Sequence, residues 1–233
     1  MGYYGIDIYY IILVLPAIIF AMWAQSKVNT TFNKYSKVGA MRGITGAMAA
    51  QAVLRANGVF GVTIEHISGN LTDHYDPKAN VIRLSDSVFN STSVAAIGVA
   101  AHEAGHAVQY AANYGPIRIR QAIIPISQIG SGLSMPMILL GVILNSSMFL
   151  DLGILFFGLA TLFQLVTLPV EFNASKRAMY ALEQGNLLYD EELSGAKKTL
   201  TAAALTYVAA LAVSIAQFIR LLLIFGGRGR DRD

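Results

Sequence analysis

Ala101-His102-Glu103-Ala104-Gly105-His106-Ala107 is the stretch of this sequence whose residue types and spacing could do chemistry. In an α-helix His102 and His106 stand one turn apart on one face, so both imidazoles can reach a single ion. Neutral imidazole is a good zinc donor, and Glu103 between them can take a proton from an activated water. This H-E-x-x-H arrangement is the one used by zinc hydrolases, most often metalloproteases. The chain has only 4 histidines, so the pattern should arise by chance about once in several hundred chains of this composition. The plainer alternative is a pair of core histidines bonded to backbone carbonyls.

The surrounding sequence predicts a helix suited to burial. Ser91, Thr92 and Ser93 offer N-caps, Val94 to Ala100 is small and apolar, and Asn113-Tyr114-Gly115-Pro116 supplies a stop. Small residues beside the histidines (Ala101, Ala104, Gly105, Ala107) are expected to leave room for a metal, a water and a substrate chain. Gln109 and Asn113 share the histidines' face and are candidate supporting or substrate contacts. Upstream, Thr45 to Asn57 reads as an amphipathic helix. Three short strands are expected at Gly61–Ile67, Leu71–Tyr75 and Asn80–Ser85, from alternation and the turns between them. A short antiparallel sheet followed by the histidine helix is the expected core of residues 25–117, with 25–43 as a linker or short helix. An edge strand there could pair with an extended peptide.

The rest of the chain is oily, 55% hydrophobic with a mean hydropathy of +0.52. Four stretches approach the length needed to cross about 30 Å of hydrocarbon: residues 3–24, 121–144, 148–170 and 200–225. Asp7 and Arg220 are the charges carried near the ends of the first and fourth. The expected fold class is therefore a mainly α integral membrane protein, with four transmembrane helices and a small α+β domain. The first span reads as an anchor: Met1 to Tyr4 lack Lys and Arg, and no A-x-A-like site follows. Ile6 stands where a myristoylation signal needs Ser or Thr. Lys27, Lys34, Lys37, Arg42, Arg118, Arg120, Lys176, Arg177, Lys197 and Lys198 all fall outside the spans on one side, whereas the turn Asn145-Ser146-Ser147 has no positive charge. By the positive-inside rule the histidines face the cytoplasm of a multi-pass protein of the cell membrane. The basic tail, 226–233, reads as an interfacial end, and no nucleic-acid partner is expected. The absence of cysteine excludes a disulfide framework and a thiolate metal site.

A catalytic zinc keeps three protein ligands and an open position. His66, His74, Asp151 and Glu171 are the candidates for the third. Glu171 lies just beyond Pro169, where the third span returns to the face from which the second began, and a carboxylate beside hydrocarbon needs a cation partner. The plainer alternative is a salt bridge from Glu171 to Lys176, Arg177 or a neighbouring loop.

His102-Glu103-Ala104-Gly105-His106, a membrane hairpin and Glu171-Phe172-Asn173-Ala174-Ser175 together resemble the HtpX-type membrane zinc proteases. The chain is more similar still to the YugP-like neutral zinc metallopeptidases of bacteria. There the resemblance rests also on Leu71 to Pro77, Arg83-Leu84-Ser85 and Pro169-Val170, and runs over most of the chain. It implies a gluzincin-like fold, one Zn²⁺ per chain held by His102, His106 and Glu171, and Glu103 as the catalytic base. Ser175 stands where the HtpX pattern has the Asp that orients a ligand histidine, and a hydroxyl holds an imidazole N–H less firmly. For the donor to a tetrahedral oxyanion, His74 is the first candidate, with Tyr75 and Arg177 behind it. The plainer reading of Asp73 to Pro77 is a turn.

The function expected is hydrolysis of protein or peptide substrates at a lipid bilayer. Two other readings compete. One is a site-2-type intramembrane protease with Asp151, in Leu150-Asp151-Leu152-Gly153, as the third ligand, although Asp151 falls at the far turn of the hairpin. The other is a non-catalytic membrane scaffold with a structural metal, which would have no use for Glu103.

Overall fold

In the computed structural model, residues 7–226 are described. The expectations for residues 3–6 and 227–233 lie outside them. Six α-helices and three strands occur in the order α1 (Leu15–Tyr35), α2 (Gly46–Ala56), β1 (Thr63–His66), β2 (His74–Asp76), β3 (Val81–Leu84), α3 (Val94–Ala111), α4 (Gly115–Ile143), α5 (Ser147–Gln184) and α6 (Asp190–Phe225). A π-helical turn, Tyr10–Val14, precedes α1. The four helices α1, with that turn, α4, α5 and α6 are long and apolar enough to cross a membrane.

These residues fall into two units. One contains residues 26–117 and 169–205. Here α3 begins at Ser93, whose hydroxyl accepts the Ala96 N–H, and α2 at Thr45, whose hydroxyl accepts the Met48 N–H. Val94, Ile97, Ala100, Ala101, Ala104 and Ala107 of α3 are buried against Val53 and Leu54 of α2, Ile82 and Leu84 of β3, and Ala178 and Leu182 of α5. Each fully buried Leu or Ile contributes about 1.5–3 kcal/mol of apolar burial. The small residues flanking the histidines thus face this core, not open space for a metal and substrate: the alanines pack, and the place of a Gly105 side chain is taken by α5.

The sheet is mixed, in the order β1-β3-β2, with β1 parallel to β3 and β2 antiparallel to it. An all-antiparallel sheet was the expectation. The difference follows from β3, which buries Val81, Ile82 and Leu84 and so takes the centre, leaving β1 and β2 as the edges.

Residues 25–35 are not a linker but a continuation of α1, because no Gly or Pro interrupts the helix before Gly39. The chain beyond it is pinned by a bridge between Gly39 and Ser93. Likewise α6 starts ten residues before the expected fourth span. Asp190, Glu191 and Glu192 occupy its first turn, and Glu192 reaches back to the Tyr189 N–H at 3.1 Å. Apolar length marks the part of a helix that suits lipid, and capping marks where the helix ends.

The other unit contains residues up to 25, 118–168 and from 206 onward. Its helices approach through small residues: a Cβ on Gly153 would come within 2.6 Å of Ile138, and one on Gly141 within 2.7 Å of Leu150. Ser134 donates to the Gly153 carbonyl at 2.9 Å, and Thr161 and Ser214 hydroxyls meet at 3.1 Å. The charges near the ends of the first and fourth apolar stretches find each other. Arg220 donates to the Asp7 carboxylate from Nε at 2.9 Å, and Asp7 also accepts the Tyr10 N–H.

Candidate metal centre

α3 and α5 meet at Gly105. A Cβ there would lie 2.5 Å from the Ala174 carbonyl oxygen, so only glycine lets the α5 backbone come this close. That approach sets Glu171 and Ser175, one turn apart on α5, against His102 and His106, one turn apart on α3.

Glu171 Oε2 lies 3.3 Å from His102 Nε2 and 3.5 Å from His106 Nε2. The two rings stand almost perpendicular, 81° apart, with centroids separated by 4.7 Å. Among the described residues these three form the group of His and acidic side chains able to hold a metal, with donor atoms within 4.8 Å of one another. Glu171 is 2% exposed and His106 9%. Both imidazoles are therefore partners of the Glu171 carboxylate.

The outer nitrogens of both rings are held. His102 Nδ1 meets Ser175 Oγ at 3.0 Å, and His106 Nδ1 meets Gln109 Oε1 at 3.0 Å. Gln109 is fully buried, and its amide nitrogen donates to the Val170 carbonyl at 2.7 Å and to Asn173 Oδ1 at 3.0 Å. A carbonyl can only accept, so the amide orientation is fixed and its oxygen faces His106. His106 must then carry its proton on Nδ1 and turn the lone pair of Nε2 toward Glu171. A lone pair and a carboxylate at this distance repel unless a cation, either a proton or a metal, lies between them. Burial works against a charged His106, but the Glu171 carboxylate and the charges of Glu103 and Glu171 outweigh it and raise its pKa. The donor set, two imidazole nitrogens and one carboxylate oxygen, suits Zn²⁺.

Glu103 is half-buried on α3 beside the group. Arg177 donates to Asn173 Oδ1 at 2.8 Å, and its guanidinium stacks over the Tyr114 ring at 5.9 Å. Asn173 and Tyr114 were not singled out by sequence reasoning. The signal for Asn173 is its place in the same α5 turn as Glu171, facing Gln109. Asn113 takes a left-handed conformation, φ 52°, at the end of α3. Tyr75 packs on Tyr110 of α3 at 5.4 Å between centroids and donates to Asn80 at 2.8 Å; burial, first, and Tyr110 and Asp76 push its phenol pKa up. His74 sits exposed on the edge strand β2. Its Nδ1 donates to the Thr72 carbonyl at 2.9 Å, and Arg83 approaches Nε2 at 3.5 Å. Its Nδ1 hydrogen bond orients the ring on the edge strand. His66 pairs with Asp86 at 2.7 Å. Asp151 belongs to the other unit, where it lines an apolar cavity of about 560 Å³ with residues such as Ile154, Leu162 and Phe218.

Residues 10–226 match the family described as "Putative neutral zinc metallopeptidase". "Putative membrane protease YugP" from Bacillus subtilis (strain 168) is 45% identical over 224 residues, covering 96% of this chain and 99% of that protein. No solved structure matches the chain. A family match over nearly the whole length, with a His-His-Glu group that could hold a metal, leads to one conclusion: this chain belongs to the neutral zinc metallopeptidase family.

Proposed function

We propose that the chain is a membrane-bound zinc endopeptidase that hydrolyses peptide bonds. The single observation that carries this reading is the convergence of His102 Nε2, His106 Nε2 and Glu171 Oε2 with Glu103 beside them. In this reading one Zn²⁺ per chain is held by those three groups. The ion supplies a Lewis acid that makes water acidic near neutral pH and polarises a peptide carbonyl. Gln109 fixes the plane and tautomer of His106, and Ser175 holds the ring of His102, so that the Nε2 atoms of both rings face the Glu171 carboxylate. Glu103 accepts the proton of the attacking water and delivers it to the leaving amine nitrogen. A substrate strand laid along the exposed edge of β2, whose Tyr75 packs on α3, would be held by main-chain hydrogen bonds. Residues 26–117 and 169–205 form the working unit, placed on the cytoplasmic side by the lysines and arginines near the spans, with four membrane crossings as anchor.

Glu103→Gln should keep one zinc per chain by metal analysis while chelator-sensitive cleavage of casein falls about 10²-fold or more. His106→Ala and Glu171→Ala should lose the metal as well. Normal cleavage by the Glu103→Gln protein would end this reading.

A further inference from the structure

The polar half of α1 and the start of α6 enclose a cavity of about 510 Å³ within the unit that carries the metal centre. On α1 its wall is Lys27, Thr30, Thr31 and Lys34, which follow the i, i+3, i+4, i+7 spacing of a single helix face. On α6 the wall repeats that spacing with Ser194, Lys197, Lys198 and Thr201. The two helices are clamped at one end by Tyr35 on Gly195, where a Cβ would come within 2.7 Å of the ring. Four lysines, the aliphatic hydroxyl residues Thr30, Thr31, Ser194 and Thr201, and Tyr35 therefore line one space, no acidic residue lines it, and among the described residues no carboxylate pairs with any of the four lysines.

Four like charges bordering one cleft give it a positive potential that attracts an anion. The depth of the cavity identifies the source of that anion. Along α1, Lys27 follows the exposed apolar run that ends at Met22 and Trp23 by one helical turn, and Trp favours the lipid headgroup level. Along α6, Thr201 is succeeded by Ala202 and Leu205, which give the same cavity an apolar end. The lining thus grades from lysine and hydroxyl to apolar in the sense in which a phospholipid grades from phosphate to acyl chain. We propose that this cleft is a binding site for the headgroup of an anionic phospholipid.

The test uses the full chain purified in a neutral detergent. Retained lipid is read by native mass spectrometry, and melting temperature is read during titration with phosphatidylglycerol, phosphatidylcholine or inorganic phosphate. The wild type should retain phosphatidylglycerol at least tenfold over phosphatidylcholine (roughly fivefold for each lysine engaged) and melt higher in its presence, with no shift from inorganic phosphate. Replacing Lys27, Lys34, Lys197 and Lys198 by Gln should bring the preference to near unity while leaving melting in phosphatidylcholine unchanged. Should that protein misfold, the Lys197→Gln, Lys198→Gln pair alone should lower the preference severalfold. A pair elsewhere, Lys37→Gln with Lys78→Gln, should not. Absence of a preference in the wild type, its survival in the cavity variants, equal loss in the control pair, or a full melting shift from inorganic phosphate alone would each overturn the proposal.

Discussion

At the scale of single residues, the candidate metal centre depends on two positions that would do no chemistry themselves. Gly105 lies inside the H-E-x-x-H stretch and decides how near α5 can come. Gly105→Ala places a methyl 2.5 Å from the Ala174 carbonyl, so α5 must move and carry Glu171 with it. Overpacking of this kind costs about 1–3 kcal/mol, and the variant should lose most of its zinc on dialysis against a weak chelator. Gly98→Ala, about two turns earlier on α3, is the control, since its Cβ would meet Ala196 at an ordinary 3.5 Å. Retention of zinc by Gly105→Ala would show that the close approach is dispensable. Gln109 is the second such position. Its amide sets the tautomer of His106, so Gln109→Leu, which keeps the bulk but removes all three hydrogen bonds, should weaken zinc binding by about 10–100-fold and, by leaving buried polar groups unpaired, lower the melting temperature.

At the scale of elements, the edge strand β2 is held by one carboxylate. Asp76 accepts the N–H groups of Lys78 and Ala79 on one oxygen and Arg83, at 3.0 Å, on the other. Arg83 foremost, then the two N–H groups, hold its carboxyl below the usual carboxylate range. The folded value is lower than the unfolded value of about 4. The stabilisation is therefore complete above that unfolded value and vanishes as pH falls through the lowered one. Protection of the Lys78 and Ala79 amides against hydrogen exchange should be constant from neutral pH down to about 4 and fall below it. Loss of protection already near pH 6 would mean another group holds the turn. The element boundaries carry a general lesson. Hydrophobic runs located the apolar parts of α1 and α6, but the helices outrun them at the polar ends, where a lack of breakers in Lys27 to Tyr35 and the Glu192 cap at Tyr189 take over.

At the scale of the whole molecule, the unit with the metal centre is assembled from two segments, 26–117 and 169–205, separated in sequence by the α4–α5 hairpin. An ion bound by His102, His106 and Glu171 joins those segments and should stabilise the unit through them. At free zinc about a hundred times its dissociation constant the linkage is worth about 2.7 kcal/mol. Stripping the metal with a chelator should therefore lower the melting temperature by several degrees, and restoring zinc should recover it. The Glu171→Ala protein should show no such difference. If it does, the ion binds elsewhere.

The sequence by itself determined the class and where a candidate ligand pair lies. The spacing of His102, Glu103 and His106 fixes one helical face, the four long apolar stretches fix a membrane setting, and local capping at Thr45 and Ser93 fixes where α2 and α3 begin. These are properties of residues close in the chain, governed by helical period and hydrophobicity. Tertiary structure alone decided which way β1 runs beside β3, that Gly105 makes room for a backbone, that Asp7 meets Arg220, and that Gln109 reaches across to Val170 and Asn173. Each is a contact between residues far apart in sequence, set by which buried surfaces and hydrogen-bonding groups fit one another, and no local pattern encodes that fit.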